Sequence, residues 1–103
     1  MTTAEKRKYR RIPMVTRIEA DSDGTPYLAE ARNISVGGIL IHTVNPAPEG
    51  QVVRLKFTLP GTEQEIHATG TVLHVSPGAY MGVRFDELDP TDREAIQQFI
   101  EKA

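Results

Sequence analysis

Two short stretches of this chain carry side chains suited to recognising another molecule. The first is Arg7-Lys8-Tyr9-Arg10-Arg11, preceded by Lys6, in which Arg7 and Arg11 stand four residues apart. A guanidinium is permanently charged and presents its N–H donors as a planar fork, so a pair of arginines in this setting suits an anion. The second stretch is Asn33-Ile34-Ser35-Val36-Gly37-Gly38. If the chain stays extended there, Asn33 and Ser35 fall on the same side, and two small polar groups project together. Asn, Ser and Gly are also common turn formers, so this stretch taken alone reads more readily as a simple loop.

Charge is distributed in a way that favours the first stretch as an anion site. Residues 1–11 hold Lys6, Arg7, Lys8, Arg10 and Arg11 against Glu5 alone, a balance of +4, whereas the rest of the chain carries −6. A basic arm therefore leads into an acidic body, and an anionic partner should meet the arm. A charged terminus can also be a solvated tail, and the second motif is what weighs against that reading here.

Catalytic chemistry finds no support. His42, His67 and His74 sit in separate strand positions without the spacing of a metal site, and the chain has no cysteine to complete one or to form a disulfide. Nucleophile-elbow, phosphate-loop and dinucleotide-binding glycine patterns are all missing. We expect neither enzyme activity, nor a metal, nor a cofactor.

The elements that must position the two stretches follow from hydrophobic alternation. A chain of 103 residues has room for one core. Period-two runs separated by turn residues predict strands over 14–20, 26–32, 38–43, 51–59, 65–75 and 80–85. The clearest is 51–59, where Val53, Leu55, Phe57 and Leu59 share one face and Arg54, Lys56 and Thr58 the other. Asp21-Ser22-Asp23-Gly24, Pro60-Gly61-Thr62 and Ser76-Pro77-Gly78 supply turns. Six short strands suit a small all-β barrel. Asp89 as N-cap and Pro90 as first helical residue then open a helix over about 89–101. A helix this short is marginal by itself, so Ile96, Phe99 and Ile100 should dock on the barrel. Pro13 biases Ile12 to an extended conformation, which tethers the arm to the barrel's edge. We thus expect a flexible basic arm at 1–11 and a barrel with its helix at 12–103. No apolar run reaches the ~20 residues of a membrane span and no secretory leader precedes the fold, so a cytoplasmic location and no membrane insertion are expected.

At the two opening stretches the chain resembles the PilZ domain family, bacterial receptors for cyclic di-GMP. That family carries Arg-x-x-x-Arg followed by Asp/Asn-x-Ser-x-x-Gly. Here Arg7, Arg11, Asn33, Ser35 and Gly38 fill those positions in the same order. Gly82-Val83-Arg84-Phe85 is similar to a Gly-Val-x-Phe pattern of the family's last barrel strand.

The resemblance implies a six-stranded antiparallel PilZ-type barrel with a C-terminal helix, in agreement with the strand count. It implies cyclic di-GMP as ligand, with Arg7 and Arg11 taking guanine edges and phosphates, both of which an arginine fork can bond. Asn33 and Ser35 would hydrogen-bond the other side of the ligand, and Gly38 would permit a close backbone approach or a positive φ. Lys6, Lys8, Tyr9, Arg10 and Gly37 are possible secondary contacts. Asn33 is neutral where the family also accepts Asp, which removes one charge-assisted bond. Lys6, just before the first arginine, suits an intercalated pair of messengers, so one ligand and two both stay open, as does the oligomeric state. The polar, proline-tethered arm leads us to expect that its ordering over the ligand relays the signal to a downstream protein partner. The alternative within the family is an adaptor for motility or pilus assembly that binds no nucleotide. Specific nucleic-acid binding through the arm is disfavoured by the acidic body and by an aromatic content of only 6%.

Overall fold

The computed structural model describes residues 10–103. Within it the six predicted strands and the helix are present: β1 Ile12–Asp21, β2 Tyr27–Ile34, β3 Gly38–His42, β4 Val52–Thr58, β5 Glu65–Ser76, β6 Tyr80–Leu88 and α1 Pro90–Glu101. The strands close into a barrel in the order β1-β2-β3-β6-β5-β4, and every neighbouring pair is antiparallel. Closure leaves no free sheet edge.

β4 shows why the alternation could be read directly. It is straight and regularly paired to β5, so Val53, Leu55 and Phe57 all point into the barrel and Arg54, Lys56 and Thr58 all point out. Ile18, Ile34, Ile39, Ile41, Ile66, Val72 and Met81 complete the filling of the interior from the other strands. Burial of such aliphatic side chains stabilises a fold by about 1.5–3 kcal/mol each.

Two differences from the predicted boundaries bear on function. β2 continues through Asn33 to Ile34, where a turn was expected, and β6 extends to Leu88 rather than stopping at Phe85. Both strands contain or face irregularities: the β2–β3 register shifts between Ala31 and Asn33, and the β5–β6 register shifts between Thr69 and Gly70 and again between Val72 and His74. A bulge inserts a residue and breaks the period of two, so alternation cannot be followed across it.

α1 closes one end of the barrel. The Asp89 carboxylate caps it by accepting the Thr91 N–H at 2.9 Å. Ile96 and Ile100 are buried against the barrel, and Phe99 packs partly beside them, as the helical spacing predicted. Asp92 does more than favour the helix's first turn. It is buried, and its carboxylate accepts the Gln64 side-chain amide and the His67 backbone N–H, each at 3.1 Å, bolting the helix to β5. No helix among the described residues is long and apolar enough to cross a membrane.

Candidate functional site

Ser35 organises the turn between β2 and β3. Its hydroxyl oxygen accepts the backbone N–H groups of Gly37 at 3.2 Å and Gly38 at 3.1 Å, while its own N–H donates to the Gly38 carbonyl at 2.8 Å. A serine two or three residues ahead of free N–H groups is the short polar side chain that can close such a loop. The Gly37 carbonyl then accepts the Phe85 N–H at 2.9 Å, which locks the turn to β6.

Gly38 is required by close approach. Its φ is not positive, but a Cβ there would lie 2.5 Å from the Val83 carbonyl oxygen. That atom belongs to the ladder between β3 and β6 and cannot move without breaking it.

Arg11 stands across from this turn, immediately before β1. Its Nη1 donates to the Asn33 side-chain oxygen at 2.6 Å, so an arginine and the asparagine singled out from the sequence, 22 residues apart, are in direct contact. Partial burial lowers the Arg11 pKa below its ordinary value. The group stays charged at neutral pH, because arginine starts far above it. Arg10 lies beside it and donates through Nη2 to the Ala103 carbonyl oxygen at 3.4 Å, a long contact between the arm and the end of the chain after α1.

These residues border one cleft of about 860 Å³ on the outer face of β3, β6 and β5. Arg10, Arg11, Asn33, Ser35, Gly37 and Gly38 all line it. Lys6, Arg7, Lys8 and Tyr9 lie outside the described residues. The cleft is within the range of about 300–1,000 Å³ usual for small-molecule sites.

The remaining wall comes from residues that no spacing in the sequence joins to the two stretches. It is formed by Leu73, His74, Gly82 and Arg84. The bulge at Val72/His74 turns both Leu73 and His74 outward, which strict alternation would forbid. The His74 ring lies against Gly82, where a Cβ would collide with His74 Cε1 and Nε2. Tyr80 meets the same ring edge-on, with centroids 6.3 Å apart and planes at 84°. Gly82 and Arg84 had drawn notice only as part of a four-residue family pattern, and the signal that could have placed them is their alternation with inward Met81, Val83 and Phe85 along β6.

Electrostatics separates this cleft from a second hollow among the described residues. Three arginines line it, Arg10, Arg11 and Arg84, and no carboxylate does among the described residues. The second hollow, about 500 Å³, carries Glu19, Asp21, Glu87 and Asp89 against Arg54 and Lys56. Lys56 is already paired with Glu19 at 3.2 Å. Arg84 is likewise paired, with Asp86 at 3.0 Å, so the excess positive charge of the arginine cleft comes from Arg10 and Arg11. The described residues contain no group of three His, Asp or Glu placed to hold a metal ion.

Comparison with known proteins agrees with the barrel fold. The sequence profile of the PilZ domain matches residues 5–102. No curated protein matches with significant similarity. Among solved structures, Bacillus subtilis MotI/DgrA, an inhibitor of motility, superimposes with a TM-score of 0.81 at 24% identity over 93% of this chain and 50% of that one. The PilZ domain of Escherichia coli YcgR, solved with c-di-GMP, superimposes with a TM-score of 0.77 at 18% identity over 94% of this chain and 90% of that one. The PilZ domain of CeSA from a cellulose-synthesizing bacterium gives 0.70 at 14% identity, over 90% and 96%. The chain thus spans about half the length of MotI/DgrA and nearly all of the two isolated domains.

Proposed function

Because the chain belongs to the PilZ domain family, we propose that it is a receptor for cyclic di-GMP and that the messenger occupies the arginine-lined cleft on the outer face of the barrel. The observation that carries this reading is the cleft itself, where three arginines meet the Asn33–Gly38 turn without a single lining carboxylate among the described residues. Cyclic di-GMP has two phosphodiester anions and two guanines, and arginine bonds both kinds of group.

The residues divide the work by chemistry. Arg11 is held by Asn33 and is thereby pre-aimed, which lowers the entropy lost when it bonds a ligand. Arg7, four residues earlier, brings the second guanidinium of the arm. Asn33 keeps its amide N–H groups for the ligand while its oxygen holds Arg11, or exchanges that oxygen to guanine N–H donors when the messenger arrives. The Ser35 hydroxyl accepts two N–H bonds from its own turn, and its hydrogen has only the distant Gly38 carbonyl, at 3.5 Å, to point to. It is therefore available to donate to a ligand oxygen. Gly37 and Gly38 keep the floor of the cleft free of side chains. His74, exposed beside Gly82, brings an aromatic ring to the cleft on which a base can stack.

The protein works as a receptor and adaptor and not as an enzyme. Lys6, Lys8, Tyr9 and Arg10 add charge and contact area as the arm closes over the messenger, and the surface thus formed is read by a downstream protein. Arg10, which already reaches the Ala103 carbonyl, connects the arm to the α1 end of the barrel.

Isothermal titration calorimetry with cyclic di-GMP tests the reading and counts the ligands. Arg7→Ala and Arg11→Ala should each weaken binding about tenfold to a hundredfold, the loss of a charged hydrogen bond of roughly 1.5–3 kcal/mol. Wild-type protein that shows no heat with cyclic di-GMP, or two variants that bind as tightly as wild type, would refute it and leave the nucleotide-independent adaptor.

A further inference from the structure

Arg84 lines the same cleft from the barrel sheet rather than from the arm. It sits on β6 between two paired strands, opposite Gly38 of β3 and Thr71 of β5. Its Nε donates to Asp86 Oδ1 at 3.0 Å, and the other oxygen of the same carboxylate accepts the Thr71 hydroxyl at 2.5 Å. Residues 84 and 86 share the outer face of β6, so Asp86 is anchored by β5 on one side and orients Arg84 on the other. Among the described residues the hydrogen bonds of Arg84 run through Nε alone, which fixes the guanidinium plane and leaves the Nη1/Nη2 edge for a partner. Thr71 and Arg84 together hold the Asp86 carboxyl below its ordinary value, so the clamp is charged throughout the neutral range.

We propose that Arg84 binds a phosphodiester of the ligand from the barrel wall, in addition to the arm's arginines, and that Asp86, fixed by Thr71, is its positioning residue. This rests on the assignment of the cleft to cyclic di-GMP. A molecule with two anionic groups on opposite sides of a ring needs cations on two sides. Arg10 and Arg11 precede β1, and Arg84 is the cation that the paired strands themselves contribute to the cleft. The guanidinium held at Nε keeps the bidentate edge that suits a phosphate.

Calorimetry with cyclic di-GMP on wild type, Arg84→Ala, Asp86→Asn and the double variant tests both parts. Arg84→Ala should weaken binding roughly tenfold or more, with a shallower dependence of affinity on salt because one charge contact is gone. Asp86→Asn should weaken binding less in the wild-type background and have no effect in the Arg84→Ala background. Arg84→Lys keeps the charge without the fork and should fall between wild type and Arg84→Ala; it also serves if the alanine variant unfolds early in a thermal melt. Unchanged affinity and salt dependence in Arg84→Ala, with wild type binding normally, overturns the role of Arg84. An equal loss from Asp86→Asn in both backgrounds overturns its positioning role. Absence of binding by wild type refutes the underlying ligand assignment instead.

Discussion

Ser35 and Asn33 differ in what they do although both come from one short motif. Asn33 holds the arginine across the cleft, whereas Ser35 is buried and chiefly builds the turn that brings the cleft floor into place. A short polar residue can thus serve a binding site by shaping backbone as well as by touching ligand. Asp86 belongs to the same scale. Its folded-state pKa is lowered from 3.8, first by the Thr71 hydroxyl and then by Arg84. A carboxyl depressed on folding contributes its stability fully above the unfolded-state value and loses it as pH falls through the folded-state value. Urea denaturation of wild type and Asp86→Asn should therefore show a stability difference that is constant near neutrality and shrinks below about pH 3.8. A difference that does not change with pH would show that Asp86 acts through packing alone.

Elements meet the site through irregularities. The shift between Ala31 and Asn33 delivers Asn33 at the end of β2, and the shift between Val72 and His74 turns two successive β5 side chains into the cleft. Regular strands place side chains alternately in and out, so a wall that needs neighbouring residues on one face needs a bulge. At the opposite end of β5, α1 is attached by Asp92, whose buried carboxylate satisfies Gln64 and the His67 N–H. Asp92→Ala leaves a backbone N–H without its acceptor and should destabilise the fold by about 1–3 kcal/mol. The midpoint of chemical denaturation should move accordingly, with cyclic di-GMP affinity at a temperature where the variant is folded little changed, since Asp92 is not among the residues lining the arginine cleft.

At the scale of the whole molecule, core and binding charge are separate. The buried core among the described residues runs from Ile12 to Ile100, while the +4 charge of residues 1–11 lies ahead of it. Removal of residues 1–9 should therefore leave the thermal midpoint within a few degrees of the intact chain, a shift of roughly 1 kcal/mol or less. The same truncation should reduce cyclic di-GMP affinity at least about tenfold through loss of Arg7. Circular dichroism melts and calorimetry on the truncated chain measure the two effects independently. Undiminished affinity would place the whole of the binding energy on the barrel.

Strand number, the β4 faces, the helix and its cap were all legible in the chain, because alternation, turn residues and capping are local signals that survive wherever pairing is regular. The charge of the arm was equally legible, since it is a property of composition along the chain. The resemblance joined Arg11 to Asn33, Ser35 and Gly38 as one motif. Only the tertiary structure brought Arg11 onto Asn33 and showed that Gly38 is demanded by the Val83 carbonyl rather than by its own φ. It alone assembled Leu73, His74, Gly82 and Arg84 into the remaining wall. The physical reason is that barrel closure and bulges determine which outward side chains converge, and neither is written in the period of any single strand.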